Sequence, residues 1–122
     1  MVPDIRITEE AGIIRVVYRG KVEYGATTGM LRGVAQLASE KKIKELLFDI
    51  SEADYRHYYA ETLRHAEEGP SLGIDRTFRI AFLGAAENPM LRYIEDASVN
   101  RGFRVKAFID EAEAKAWLRS AP

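Results

Sequence analysis

The sequence has no cysteine, four prolines, one tryptophan and no long apolar run. Without cysteine there is no disulfide, no thiolate nucleophile and no cysteine-ligated metal. No stretch approaches the roughly 20 consecutive apolar residues that a membrane-spanning helix needs, so membrane insertion is not expected. Neither charge dominates, because 18 Lys and Arg oppose 19 Asp and Glu. A net charge near zero argues against nucleic acid as a partner.

The residues that are present indicate one globular unit. Of the 122 residues, 47% are hydrophobic, which excludes a disordered chain. A chain of this length buries roughly two-thirds of its unfolded surface around one core. No repeat or shift in composition divides it, so we expect a single domain over residues 1–122. The segment Met1-Val2-Pro3-Asp4 has no signal-peptide features, and a cytoplasmic setting is expected.

Alternating hydrophobicity and turn residues predict the first elements. Two β-rich segments, Asp4–Glu9 and Ile13–Tyr18, are joined by Glu10-Ala11-Gly12, which predicts an antiparallel hairpin. Apolar residues three and four positions apart predict a helix over Tyr24–Lys41. The nearly unbroken apolar run Glu45–Ile50 is typical of a central strand that is covered on both faces.

The second half of the chain continues as alternating helices and strands. Ser51–Asp54 is expected to be a polar loop before a helix over Tyr55–Glu68, which Gly69-Pro70 should end because proline lacks the N–H of the next helical hydrogen bond. The remaining predicted elements are a strand over Thr77–Leu83, a helix from Asn88-Pro89 to Gly102, a strand over Phe103–Ile109 and a helix with a capping box at Asp110–Glu113. The order β-β-α-β-α-β-α-β-α predicts an α/β fold with a mixed five-stranded sheet and an antiparallel opening hairpin.

Three short signatures in this order resemble the STAS superfamily, the sulfate-transporter and anti-sigma-factor-antagonist domains. They are Gly20-Lys21-Val22 after the second strand, Leu47-Phe48-Asp49-Ile50-Ser51 at the third, and the closing segment Phe103–Leu118. In particular the chain is similar to the branch named after stage II sporulation protein AA. The resemblance covers nearly the whole chain and implies a STAS-like fold. Since that branch is similar in fold to lipid-binding modules, it also implies a lipophilic ligand.

One signature of the antagonists is absent. Their loop after the third strand carries Asp-Ser-Ser/Thr-Gly at a helix N-terminus, where a partner kinase phosphorylates one hydroxyl. Counting forward from Asp49, the corresponding positions are His57, Tyr58, Tyr59 and Ala60, which lack an aliphatic hydroxyl. The resemblance therefore extends to the fold but not to a kinase-operated switch.

The segment from Tyr55 to Tyr59 is the most unusual local feature. One helical stripe is predicted to be core and contains Tyr55, Tyr59, Leu63 and Ala66. A neighbouring face, with Tyr58, Thr62 and His65, suits a ligand or a protein partner because its side chains combine apolar bodies with polar tips. This helix follows the carboxyl end of a central strand, where open α/β sheets bind ligands. The predicted ligand or partner surface consists of Ser51, Asp54, Tyr55, His57, Tyr58, Thr62, His65, Leu72 and Ile74.

No catalytic residue, cofactor or metal site is predicted. His57, Glu61 and His65 recur every four residues, but no fourth ligand accompanies them, and a solvated helix face is the better interpretation. Ser51 lacks the Gly-x-Ser-x-Gly elbow of a serine nucleophile. A hydrolase or metal-dependent enzyme would need a polar pocket that unites His57, His65 and Asp54.

A stripe of small residues raises the question of self-association. Gly25, Gly29 and Gly33 recur every four residues and predict close packing of another backbone against the first helix, with a homodimer contact as the alternative. Three functions stay open. The first is a non-enzymatic domain that binds a partner protein or a small apolar ligand, the second a regulatory homodimeric module without the phosphorylation switch, and the third a small enzyme.

Overall fold

The computed structural model describes residues 3–120. Four residues of the predicted domain lie outside the described residues: Met1, Val2, Ala121 and Pro122. Met1 and Val2 also belong to the N-terminal segment in which no signal-peptide features were found. The described elements are β1 Asp4–Glu10, β2 Ile13–Lys21, α1 Tyr24–Lys41, β3 Glu45–Asp54, α2 Tyr59–Leu72, β4 Arg79–Leu83, α3 Pro89–Val99, β5 Arg104–Phe108 and α4 Glu111–Arg119. The predicted order of elements is confirmed.

The five strands form one mixed sheet in the order β1-β2-β3-β4-β5. β1 and β2 pair antiparallel, and each later neighbour pairs parallel. The hairpin turn has two residues, Ala11 with φ 49° and Gly12 with φ 82°. Positive φ at both positions gives a turn whose twist matches that of the strands. The predicted sheet, with its antiparallel opening hairpin, is confirmed.

Helices cover both faces of the sheet because successive side chains of a strand point to opposite sides. Val16 and Phe48 belong to the core shared with α1, while Met90 and Ile94 of α3 pack in an adjoining cluster with Tyr58. On the other face, a separate cluster joins the sheet to α4. Within residues 3–120, no helix is long and apolar enough to cross a membrane.

The third strand is longer than predicted. Ser51–Asp54 continues β3 instead of forming a loop, because Glu52 and Asp54 pair with Arg19 and Lys21 of β2 across a register shift. The Arg19 Nε donates to the Glu52 Oε2 at 2.7 Å. The end of β2 is exposed here and the end of β3 is only partly buried, so the polar side chains belong to strand ends and not to a loop.

The second helix begins later than predicted, at Tyr59 instead of Tyr55. A tight turn precedes it, in which the Tyr58 N–H donates to the Tyr55 carbonyl at 3.2 Å. The extra length of β3 accounts for the shift, since the chain leaves the sheet only after Asp54.

The predicted stop at Gly69-Pro70 is also wrong, because Pro70 lies inside the last turn of α2. Near the end of a helix, proline removes one hydrogen bond without interrupting a long ladder. The helix ends at Gly73, whose φ of 101° is readily adopted only by glycine. The N–H groups of Gly73 and Ile74 donate to the carbonyls of Pro70 and Gly69 at 3.2 and 2.9 Å, which completes a Schellman motif.

The predicted N-terminal cap is present in α3 but absent in α4. Asn88 caps α3 by accepting a hydrogen bond from the Leu91 N–H at 2.8 Å, as predicted. Asp110 precedes α4 but makes no side-chain capping bond, so the predicted capping box is wrong. Instead, Arg15 of β2 holds the start of this helix by donating to Glu111 at 2.8 Å, and it also donates to Asp49 at 3.1 Å.

The glycine stripe on α1 is mostly open. A Cβ at Gly25 or Gly29 would meet no atom within 4 Å, whereas one at Gly33 would lie 3.3 Å from the Ile7 Cδ1. The predicted close packing is therefore wrong at Gly25 and Gly29. Only Gly33 faces β1.

Candidate functional site

A cavity of about 130 Å³ lies between the sheet and the three helices α1, α2 and α3. Its floor is built from strand side chains that face these helices, among them Val16, Phe48 and Ile80. On α2, the residues that face the cavity include Ala66 and Gly69. Because these two positions supply little side-chain volume, α2 does not fill the space in front of the sheet to the density of an ordinary core.

One wall of the cavity is polar and centres on His65. The Tyr58 hydroxyl lies 2.6 Å from the His65 Nδ1, and the Thr28 Oγ1 lies 2.9 Å from its Nε2. Tyr24 stacks on the imidazole with a centroid distance of 4.3 Å. Burial lowers the pKa of His65 below its ordinary value of 6.5. The imidazole is therefore neutral at pH 7. Its Nε2 contact with Thr28 joins α2 to α1, and its Nδ1 contact with Tyr58 holds the residue that precedes α2.

Tyr58 and Thr27 form the rest of this wall. Burial raises the pKa of Tyr58, and the nearby Thr27 hydroxyl partly opposes that shift, so the phenol stays protonated. Thr62 donates its hydroxyl to the Tyr58 carbonyl at 2.5 Å. The buried Thr27 hydroxyl lies near the Tyr58 phenol, but its Oγ1 makes no hydrogen bond of normal geometry with any described residue. The lining thus includes a side-chain hydroxyl that makes no hydrogen bond of normal geometry.

The chemistry of this lining favours an uncharged apolar ligand. No Asp, Glu, Lys or Arg from the described part of the chain lines the cavity. A cavity of about 150 Å³ lined by apolar side chains holds a benzene molecule or a xenon atom. The space of about 130 Å³ therefore matches a ligand of similar size.

A second depression lies where β3 and β4 end and is lined by Ser51, Asp54, Tyr55 and Asn88, among other residues. The Ser51 hydroxyl donates to the Asp49 Oδ1 at 2.6 Å. Arg56 donates to Asp54 at 3.0 and 3.1 Å and, with its backbone N–H, lowers the pKa of Asp54 to about 2. Both polar groups are therefore engaged in local bonds, and the carboxylate is ionised.

The structure divides the predicted surface between these two places. Of the predicted residues, the cavity is lined by Tyr55, Tyr58, Thr62, His65 and Ile74. Ser51 and Asp54 lie in the depression, which Tyr55 also borders. His57 and Leu72 line neither; His57 is exposed, and Leu72 is half-buried in the last turn of α2.

The predicted core stripe is right at Tyr55, which is 8% exposed, but it is not the buried face of α2. Tyr59, predicted to be core, is 46% exposed. His65, interpreted above as part of a solvated face, is only 8% exposed. Because α2 starts at Tyr59, the face that meets the sheet contains Tyr58, Thr62, His65 and Gly69, and the stripe assigned to the core lies beside it.

The arrangement does not form the polar pocket that an enzyme of the predicted kind would need. His65 lines the cavity, Asp54 lines the depression and His57 lines neither. Within residues 3–120, no three His, Asp or Glu side chains come close enough to hold a metal ion. The Thr28 hydroxyl lies within reach of the His65 imidazole, but a phenol and not a carboxylate holds the other ring nitrogen. A carboxylate there is what stabilises the imidazolium in hydrolytic triads.

Sequence reasoning missed the contribution of α1. Thr27 lines the cavity, while Thr28 and Tyr24 support His65 from the same helix. A signal was available, since Thr27, Met30, Leu31 and Val34 follow the spacing of a buried helical face. The bond between Thr28 and His65 had no such signal, because it joins residues 37 positions apart.

No family model and no curated protein matches the sequence, but solved structures match the fold. An anti-sigma factor antagonist from Mycobacterium paratuberculosis superposes with a TM-score of 0.62 at 12% identity, over 98% of this chain and 96% of that one. An uncharacterised protein with a SpoIIAA-like fold from Shewanella loihica PV-4 gives 0.61 at 20% identity, over 95% and 93%. The unphosphorylated antagonist SpoIIAA gives 0.58 at 12% identity, over 97% and 100%. The chain therefore has the SpoIIAA-like fold, which confirms the predicted STAS-like architecture.

Proposed function

We propose that this chain, with its SpoIIAA-like fold, is a single non-enzymatic domain that binds a small apolar molecule between the sheet and helices α1–α3. The observation that carries the proposal is the cavity of about 130 Å³, whose lining contains no charged side chain of the described residues. A void of that volume costs stability, because its lining side chains lose packing partners. A ligand that fills the space restores those contacts.

The position of the cavity adds support. It lies among the helices α1, α2 and α3. The contact between His65 and Thr28 joins α2 to α1, and the contact between Tyr58 and His65 supports it. Pockets for small molecules are concave, mostly apolar and equipped with a few fixed polar groups. The lining matches that description, because it combines apolar strand side chains such as Phe48 and Ile80 with the hydroxyls of Thr27 and Tyr58.

Toluene is a suitable probe because it has the size of the space and no polar group. For so small a ligand we expect a Kd of about 0.1–1 mM for the wild-type chain. Ala66→Leu adds side-chain volume at the cavity wall and should weaken toluene binding at least about 10-fold. The matched control is Ala60→Leu, which places the same side chain at an exposed position of the same helix. Isothermal titration calorimetry measures all three affinities.

The outcomes separate the proposal from its alternatives. Wild-type binding that Ala66→Leu abolishes and Ala60→Leu preserves supports the cavity as the site. Equal affinities in the two variants would place toluene elsewhere. If the wild type binds no toluene and native mass spectrometry after mild extraction finds no apolar ligand, the proposal fails.

A second candidate function is protein–protein interaction without a phosphorylation switch, with a homodimer as its simplest form. It is favoured by the fold shared with anti-sigma factor antagonists and by an aromatic pair near the depression, of which Tyr59 is exposed and Tyr93 half-buried. Tyr59 is 46% exposed and lies 5.1 Å from Tyr93 between ring centroids. Aromatic side chains of this kind often anchor protein interfaces.

Sedimentation equilibrium tests the homodimer. A concentration-dependent dimer that Tyr59→Ser weakens, while the exposed Thr8→Ser does not, would favour self-association through this pair. A monomer at every concentration, together with no partner recovered from a lysate, would count against the second function.

A further inference from the structure

We infer that the ligand of this cavity is an uncharged small molecule with one oxygen, an alcohol, phenol or ketone, whose oxygen hydrogen-bonds to Thr27. The inference rests on the proposed function and adds the chemistry of the ligand's polar end. It starts from the hydroxyl of Thr27, a residue only 9% exposed that lines the cavity and whose side-chain oxygen makes no hydrogen bond of normal geometry with any described residue.

An unpaired buried hydroxyl is costly, since it has left water without gaining a replacement hydrogen bond. A polar atom of a ligand would supply that bond. The other hydroxyls of the α2 wall are already engaged, Thr62 with the Tyr58 carbonyl and Tyr58 with the His65 ring. Ser98 on α3 donates to the Ile94 carbonyl at 3.0 Å. The hydroxyls of Tyr18 and Tyr55, which also line the cavity, accept from the Glu23 N–H and the Asn88 Nδ2. Thr27 differs from these groups because its side-chain oxygen makes no hydrogen bond of normal geometry with any described residue.

His65 does not compete for the ligand. Its two ring nitrogens are held by Tyr58 and Thr28 at 2.6 and 2.9 Å, and one of them donates while the other accepts. Whichever tautomer is present, the ring has no free nitrogen. The polar end of a ligand therefore meets hydroxyl groups and not an imidazole.

The lining also excludes an ionised ligand. Moving a carboxylate or an ammonium group from water into an apolar site is strongly unfavourable unless an opposite charge compensates it. No charged side chain from residues 3–120 lines the cavity. A carboxylate such as benzoate should consequently bind far more weakly than a neutral molecule of the same shape.

Toluene and phenol test the inference because they differ by one methyl and one hydroxyl in nearly the same shape. Thr27→Val removes the side-chain oxygen with little change in volume. We expect this variant to bind phenol about 2- to 10-fold more weakly than the wild type, the value of one hydrogen bond, and to bind toluene unchanged or slightly tighter. Thr8→Val, at an exposed position of β1, is the matched control and should change neither affinity.

Folding of the variant is checked separately. Since Thr27→Val removes an unpaired polar group, its melting temperature should equal or exceed that of the wild type. Three results would overturn the inference. Thr27→Val could weaken phenol and toluene binding equally, it could leave phenol binding unchanged, or the wild type could bind benzoate as tightly as phenol. In those cases toluene binding that Ala66→Leu abolishes and Ala60→Leu preserves would still uphold the proposed function.

Discussion

His65 is the residue on which the polar wall depends. It is 8% exposed, stacks on Tyr24 and is bonded to Tyr58 and Thr28. A neutral imidazole can serve one hydroxyl as donor and the other as acceptor, whereas a protonated imidazole can only donate. Protonation would therefore disturb one of the two bonds and place a charge in an apolar region. Among the nearby charges, Arg64 also disfavours the protonated imidazole, while Glu68 and Glu61 favour it.

This arrangement predicts a pH-dependent stability. Burial lowers the pKa of His65 in the folded chain, while the unfolded chain returns to the ordinary value near 6.5. Below about pH 6.5 the unfolded chain binds more protons, so the free energy of unfolding should decrease as the pH falls from 6.5 through the folded-state pKa. Above pH 7 this contribution is constant. Urea unfolding between pH 5 and 8 measures it.

His65→Gln should remove this part of the slope, and His57→Gln, at an exposed histidine, is the matched control. The carboxyl groups whose pKa values the fold lowers, such as Asp54 at about 2, titrate below this range. A wild-type slope between pH 5 and 6.5 that His65→Gln leaves intact would contradict the role given to His65.

Among the elements, α2 shows how strongly a helix end depends on one residue. Gly73 ends it with φ 101°, and a Cβ there would lie 2.7 Å from the Cβ of Ala35. Gly73→Ala should therefore lower the free energy of unfolding by about 1–3 kcal/mol, from backbone strain and from crowding. Gly29→Ala, in the exposed middle of α1 with open space around it, should raise it by about 0.5–1 kcal/mol.

Chemical unfolding of the two variants compares the same substitution in two environments. Opposite signs support the described end of α2 and the open face of α1. A stabilising Gly73→Ala would mean that the helix ends elsewhere, and a destabilising Gly29→Ala would mean that a partner packs against this face.

Element order could be predicted from the sequence because hydrophobic period and turn residues are local signals. The boundaries of α1 agree with its periodicity, and the hairpin agrees with its alternating strands and its Ala11-Gly12 turn. The boundaries of α2 could not be predicted in the same way. Its start depends on how far β3 pairs with Arg19–Lys21, and its end on a Schellman motif after Pro70, and both depend on neighbouring parts of the fold.

The site was predictable only in part. The sequence identified Tyr58, Thr62 and His65 as one face, because a helical period relates them, and these residues do line the cavity. It also placed Tyr59 in the core, and that prediction was wrong because the phase of the helix depends on its start. The contribution of Thr28 was out of reach, since it arises from the packing of α1 against α2.

At the scale of the whole molecule, the unfilled cavity lowers the free energy of unfolding. Side chains that line an unfilled space of about 130 Å³ lose packing partners, which lowers stability. Filling it with a ligand at 10 times its Kd should recover about 1.4 kcal/mol, because only the folded chain binds. Binding should therefore appear as a higher melting temperature as well as a calorimetric signal.

A crystal structure determined under xenon pressure would show whether an apolar molecule can occupy the space between the sheet and α1–α3. Xenon binds apolar cavities of this size without needing a polar contact. We expect xenon density in contact with Phe48, Ile80 and Ile94, and none at this position in Ala66→Leu. A wild-type crystal in which side chains fill this space, or in which xenon binds elsewhere but not here, would contradict this expectation.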